Sequence, residues 1–294
     1  MKKNDYFIDV SGYQPADLSA TCSAAGTRNT IIKVSESTSY LNPYRGTQAA
    51  TSNPVGYYHF ARFGGNVAQA QAEARFFLAN IPKKVKYLVL DYEDDASDNK
   101  QANTNAVIAF MQAIKNAGYE PIYYSYVPYT GDYVAIDQVV AKFPKSLWFA
   151  GYAYGYNIHP AFDAGDLSIF KRNLATYGIS YAFEHTRWYQ FTSTAIQGGL
   201  DKNVVLISDD DVVENILEGV SQNMDYTISA KSGKLPYAVI TNGAFIPVAH
   251  IETIGAFQGA GAKDIKVHDD DYNRILEAIN EKPITDEIKK LKTK

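Results

Sequence analysis

Val85-Lys86-Tyr87-Leu88-Val89-Leu90-Asp91-Tyr92-Glu93 is the stretch on which the fold turns. Its apolar and β-branched residues, broken only by Lys86, make it the clearest strand in the chain. It ends on two carboxylates, Asp91 and Glu93. Residues i and i+2 of a strand share a face and lie about 6–7 Å apart along it. Two carboxylates so placed repel each other, and partial burial adds to the cost, so at least one holds its proton towards neutral pH. That is the acid–base machinery of glycoside hydrolysis. The bland alternative is a solvated acidic turn, since Asp94 and Asp95 follow at once.

Working outward, similar short runs recur: Tyr6–Val10, Thr30–Val34, Val55–Phe60, Pro121–Tyr124, Ser146–Ala150 and Arg187–Phe191. Helical patterns separate them. Asn66 to Ala79 sets Val67, Ala70, Ala74, Phe77 and Leu78 at helical spacing, and Asn103 to Ala117 does so with Val107, Phe110, Met111 and Ile114. Gly118 follows the second as its C-terminal stop. Strands alternating with helices imply a mainly parallel sheet. Seven or eight strands in the first two-thirds of the chain (α/β class) predict a (β/α) barrel of the TIM type, irregular because its later part is short of helices. In such barrels chemistry sits at the C-terminal ends of the strands. Asp9, Ser35-Glu36, His59, Asp91, Glu93, Tyr124 and Gln190 all fall there. Asp9 is far from Asp91 and Glu93 in sequence, yet a barrel brings strand ends together.

Composition narrows the classes. The 294 residues are 46% hydrophobic and 20% charged, which excludes wholesale disorder. The net charge of −4 argues against a nucleic-acid partner. No apolar run reaches membrane-spanning length, and the start of the chain offers no signal-peptide core, so synthesis in a bacterial cytoplasm without a signal peptide is expected. Cys22 is a lone cysteine that reads as a small buried residue. The histidines His59, His159, His185, His250 and His268 lack ligand-type spacing, so neither a metal nor another cofactor is predicted. The 23 tyrosines suit stacking on sugar rings, and equally suit packing in a barrel and its loops. No Gly-x-Ser-x-Gly elbow marks a serine hydrolase.

Six pieces occur in one order. They are Asp9-x-Ser11-x-x-Gln14, Gly56-Tyr57-Tyr58-His59-Phe60-Ala61-Arg62, Leu90-Asp91-Tyr92-Glu93, Leu147-Trp148-Phe149-Ala150-x-Tyr152, Trp188-x-Gln190-Phe191 and Gly199-Leu200-Asp201-Lys202-Asn203. On these pieces the chain resembles glycoside hydrolase family 25, the Chalaropsis-type lysozymes, and in particular endolysins of phages of lactic acid bacteria. The resemblance implies a barrel of eight strands and about five helices. It also implies cleavage of the β-1,4 bond between N-acetylmuramic acid and N-acetylglucosamine in bacterial peptidoglycan. By that likeness Glu93 is the general acid, and Asp91 stabilises developing charge or orients the substrate acetamido group. Asp9 and Asp201 complete the acidic cluster, with Asp201 in a loop-like stretch. Tyr58, His59, Tyr124, Trp188 and Gln190 are the substrate-contact candidates, with core packing or a structural role the other reading. Release to the wall through a holin-type partner follows from the same likeness. A chitinase-like hydrolase and a silent wall-binding barrel are the rival functions. Ile179 to Thr186, with Tyr152 to Leu174, reads as an extension longer than a minimal family member needs.

The catalytic barrel is expected over 1–210 and a linker over 211–225, which includes part of the acidic run Ser208–Asp211. A small α+β module follows over 226–294. In it Tyr237–Ile240 and Phe245–Val248 form a hairpin around Asn242-Gly243, Ile251–Ala262 and Asp271–Asn280 are helices, and Ile265–Val267 is a strand. Glu281 to Lys294 reads as a charged tail. Wall binding is the expected role of this module, and homo-oligomerisation its alternative.

Overall fold

In the computed structural model, β1 (Tyr6–Val10) pairs in parallel with β2 (Asn29–Glu36), and β4 (Asn53–Phe60) with β2 on its other side. The structure describes residues 1–155, 157–208, 225–233, 235–241, 244–248, 251–259, 261–269, 271–277 and 279. From β4 the parallel order continues through β5 (Tyr87–Asp91), β6 (Glu120–Tyr126), β7 (Leu147–Ala150) and β8 (Thr186–Thr192). An eighth strand, β9 (Asp201–Val205), runs antiparallel to both β8 and β1 and closes the barrel. A short strand, β3 (Tyr40–Leu41), folds back on the end of β2.

Among the described residues, seven α-helices accompany these strands. Three are long: α3 (Val67–Ala79), α4 (Lys100–Asn116) and α7 (Ala164–Thr176). The other four, α1 (Ser19–Ala25), α2 (Arg45–Thr51), α5 (Val127–Tyr133) and α6 (Ile136–Lys142), have seven residues each. Caps set the long ones. Asn66 accepts from the Gln69 N–H at 3.1 Å, and Asn99 from the Ala102 N–H at 3.0 Å, each satisfying an orphan donor of the first turn. The Asn99 cap explains why α4 begins at Lys100, a turn earlier than its apolar periodicity indicates. Gly118, at φ +86°, lies just past its end.

The barrel holds two apolar layers. Phe7, Ile31, Tyr87, Val89, Ile122, Trp148, Trp188 and Val205 pack together inside it. Phe7, Tyr87, Trp148 and Trp188 come from four strands and meet edge to face, with ring centroids 4.9–5.8 Å apart. The alternate residues of the same strands, such as Ile8, Ile32, Leu88, Tyr123 and Phe149, pack with Phe77, Phe110, Met111 and Phe170 of the helices. Each fully buried aromatic contributes roughly 1.5–3 kcal/mol relative to exposure. Strand periodicity thus assigns every inward position, and polar residues at those positions must lie above the inner plug.

The chain divides into two compact units, Met1–Ile207 and Ser208–Lys294. In the second, β10 (Tyr226–Ala230), β11 (Tyr237–Thr241), β12 (Ala244–Val248) and β13 (Lys263–Val267) form a sheet in the order β12-β11-β10-β13, with α8 (Ile251–Gly259) between β12 and β13 in sequence. The β10–β13 pair is parallel. Ile228, Ala238, Ile240, Phe245, Tyr272 and Ile275 form its core. The expected linker before Asp225, the acidic run from Asp209, the Asn242-Gly243 turn, His250 and the tail from Glu281 lie outside the described residues. Among the described residues no helix is long and apolar enough to cross a membrane.

Candidate active site

Above the inner plug most inward positions turn polar. On β1, Phe7 is followed by Asp9, and on β2, Ile31 by Lys33. On β5, Val89 is followed by Asp91 and then, past the strand end, Glu93; on β8, Trp188 is followed by Gln190. β9 runs the other way, so its first residue is the one at this mouth. Asp201 stands directly opposite Asp9 in the β1–β9 register. The positive φ of Gly198 and Gly199, +94° and +92°, lets the β8–β9 connection turn back so tightly. Asp9, Ser11, Gln14, Lys33, Tyr58, Phe60, Asp91, Glu93, Tyr124 and Asp201, with Val10 and Tyr13, line a cavity of about 230 Å³.

The acids are differently held. Asp9 is nearly buried, and its Oδ2 accepts from Asn203 Nδ2 at 2.7 Å and Gln190 Nε2 at 2.9 Å. Both amides are oriented by others: Trp148 Nε1 donates to Asn203 Oδ1 at 2.8 Å, and the Tyr124 and Tyr152 hydroxyls donate to Gln190 Oε1 at 3.0 and 2.6 Å. Asp91 is 5% exposed, and its buried Oδ1 has no hydrogen-bond partner among the described residues. Burial raises Asp9 to about 6, against the pull of its two amide donors. Burial and then the nearby Asp9 and Asp94 push Glu93 up to about 7, with Lys33 opposing. Burial, then Asp9 and Glu93, raise Asp201 to about 8. Asp91 lies well above the usual carboxylate range through burial and the Glu93 charge. The arrangement therefore offers protons to a bound molecule near neutral pH, which is what general acid catalysis needs.

Residues 8–200 match the sequence pattern of the glycosyl hydrolases family 25. The chain belongs to this family. It is 53% identical over 212 residues to a protein named D-alanyl-L-alanine endopeptidase from Streptococcus phage B30, covering 71% of this chain and 44% of that one. It is 50% identical over 211 residues to the lysozyme of Streptococcus phage Cp-1, covering 72% and 56%. Among solved structures it is similar to the modular Cpl-1 endolysin complexed with a peptidoglycan analogue. That match has 42% identity and a TM-score of 0.59, and covers 83% of this chain and 64% of the other. The chain thus spans about half the length of the curated relatives it matches.

The family 25 barrel brings Asp9, Asp91, Glu93 and Asp201 together with Tyr58 and Tyr124 in one cavity. Gln190 is buried behind it and acts on Asp9. Two candidates are placed elsewhere. His59 is fully buried on the outward face of β4, bonded to Ser35 Oγ at 2.8 Å and Glu73 Oε2 at 2.9 Å, and stacked on Phe110. Strand alternation turns it away from the mouth that Tyr58 and Phe60 face. Trp188, 1% exposed, belongs to the inner plug, one strand repeat below Gln190. Neither lines the cavity. Asp201 is a strand residue, not a loop one.

Lys33, Phe60 and Asn203 were not singled out from the sequence, although two carried signals. Lys33 is a charge inside the apolar run Thr30–Val34, and Asn203 closes the Gly199–Asn203 piece. His159, scattered in sequence, meets Asp163 and Asp166 with ligand atoms within 4.8 Å. Here the hydrogen bonds account for the grouping: Asp166 Oδ2 accepts from His159 Nε2 at 3.0 Å and from the Asp163 N–H at 2.8 Å, within the capping box of α7.

Proposed function

We propose that the barrel hydrolyses peptidoglycan at the β-1,4 bond between N-acetylmuramic acid and N-acetylglucosamine. The observation that carries this reading is the convergence of four carboxyl groups at one mouth, with Glu93 raised to about 7 and so able to arrive protonated. Glu93 protonates the leaving oxygen. Asp91, which lines the cavity, accepts the N–H of the substrate acetamido group and aligns its carbonyl oxygen on the anomeric carbon, so that the substrate supplies its own nucleophile. Asp9, ionised above about 6, stabilises the positive charge that develops on the sugar ring, and Asp201, raised to about 8, hydrogen-bonds the sugar while it holds its proton. Tyr58 and Tyr124 contact the sugar, while Gln190 keeps Asp9 facing it.

The B30 relative's name describes cleavage of a peptide bond, so the products decide. Digested walls are expected to yield new reducing ends bearing muramic acid, with retained anomeric configuration in product NMR. New reducing ends on glucosamine, or new free amines in their place, would reject the muramidase reading. An inverted product would reject only the substrate-assisted step. A barrel that holds walls without releasing sugar would be a binding protein.

The second unit is assigned to wall attachment. The full chain is expected to sediment with purified walls while residues 1–207 stay in solution. Equal sedimentation of both, with dimers of the full chain alone in light scattering, would assign it to homo-oligomerisation instead. The same reading has the protein reach the wall once a holin-type partner opens the host membrane.

A further inference from the structure

A chain of charged side chains leads from the cavity wall to the segment that carries Glu93. Lys33 Nζ donates to Glu36 Oε2 at 2.7 Å, and Arg62 Nε donates to Glu36 Oε1 at 2.9 Å. The Arg62 guanidinium also binds the carboxylate of Asp94, the residue after Glu93. Arg62 is itself anchored. Its backbone N–H donates to Glu73 Oε2 at 3.0 Å, and its guanidinium lies 4.6 Å from the Phe60 ring centroid. Glu73 is fully buried on α3, and it is held by His59 Nε2 at 2.9 Å and Gln69 Nε2 at 3.1 Å. Beyond Asp94 the backbone turns sharply: Asp95 has φ +64°, and its N–H donates to Asp94 Oδ1 at 2.8 Å. Neither Arg62, Glu36, Asp94 nor Glu73 lines the cavity.

We propose that Arg62 is a positioning residue for hydrolysis: anchored through Glu73, it fixes the segment bearing Glu93 by its bond to Asp94 and shields the Glu93 carboxyl from the Asp94 charge. This rests on Glu93 being the general acid.

Glu93 is faced by Asp9 from β1, Lys33 from β2, Tyr58 from β4, Asp91 from β5, Tyr124 and Tyr126 from β6, Tyr152 beyond β7, and Asp201 from β9. Asp94 raises its proton affinity from the solvent side. Without Arg62 the Asp94 charge is uncompensated, Glu93 keeps its proton to higher pH, and the basic limb of the rate profile moves up. Without the Asp94 charge, Glu93 loses its proton sooner and the limb moves down. A purely structural Arg62 would lower the rate at every pH and leave the limb in place.

The test is kcat against pH on solubilised, uncrosslinked peptidoglycan, read as reducing ends, for the parent, Arg62→Ala, Arg62→Lys and Asp94→Asn, with Glu93→Gln as control. For Arg62→Ala, kcat is expected to fall about tenfold with KM little changed. Its basic limb is expected about half a pH unit higher, with Asp94→Asn lower by a similar amount. Arg62→Lys restores the limb. Limbs that stay put in both Arg62→Ala and Asp94→Asn, or that move the same way, overturn the proposal while Glu93→Gln is inactive. An active Glu93→Gln overturns the general-acid reading instead. Asp94 is exposed, so its variant tests the idea even if Arg62→Ala does not fold.

Discussion

Replacing Glu93 with glutamine is expected to lower the lysis of a wall suspension by ~10³-fold, within the range that a single general acid supplies. Glutamine keeps the size and one oxygen of the side chain but has no acidic proton to give. The leaving sugar oxygen would then depart as an alkoxide, with no proton donor beside it. The fold should not suffer. Glu93 is raised to about 7 by burial and by Asp9 and Asp94, so its charge opposes folding wherever it is ionised, and removing it relieves the cluster. Lysis rate and thermal melting should therefore separate, with the rate collapsing at pH 7 while the melting temperature holds or rises. A variant that keeps more than about a tenth of the parent rate would show that another group delivers the proton.

The acidic cluster was legible because strand alternation is a strict rule. Asp91 and Glu93 sit two residues apart at the end of an unmistakable strand, and Asp9 ends another, so a parallel barrel had to gather them. The same rule, applied one residue further, places His59 outside: Tyr58 and Phe60 face the mouth, so the residue between them faces the helices. Its nearness to a strand end outweighed its parity. Trp188 shows the complementary limit. Its parity is inward, but depth along the strand decides whether an inward residue plugs the barrel or meets solvent, and depth depends on the stagger of all eight strands. β9 was the hardest to see. Its inward positions carry Asp201 and Asn203, and its outward Lys202 is buried with Nζ bonded to the Pro160 carbonyl, so no apolar alternation announces a strand. It is also antiparallel, which puts its first residue, not its last, at the catalytic end.

That opposition of Asp9 and Asp201 across β1 and β9 has a consequence for stability, and Asp201→Asn is expected to be the more stable protein at pH 8. Like charges directly opposite on paired strands repel, and here both are largely removed from water. Asp201 is raised from its ordinary value near 4 to about 8 by burial, then by Asp9 and Glu93. A carboxyl whose folded-state pKa exceeds its unfolded one binds more protons folded than unfolded, so stability falls as pH climbs from about 4 towards 8. Asparagine removes that fall. The gain should reach ~2–4 kcal/mol at pH 8 and fall to about 0.4 kcal/mol at pH 4, where folded Asp201 is protonated and the unfolded one half so. The figure is discounted from the full linkage because Asp201 is partly exposed and water screens its charge. Other titrating groups cancel in the comparison. Asp17, Asp94 and Asp163 are lowered and act below about pH 4, and buried His59, lowered as well, acts below about 6.5 in both proteins. Urea unfolding of parent and variant at pH 4, 6 and 8 measures the gap directly. A gap as wide at pH 4 as at pH 8 would mean that asparagine acts through packing. No gap at pH 8 would mean that Asp201 titrates in water, away from the other acids, and that the four carboxyl groups do not share one desolvated mouth.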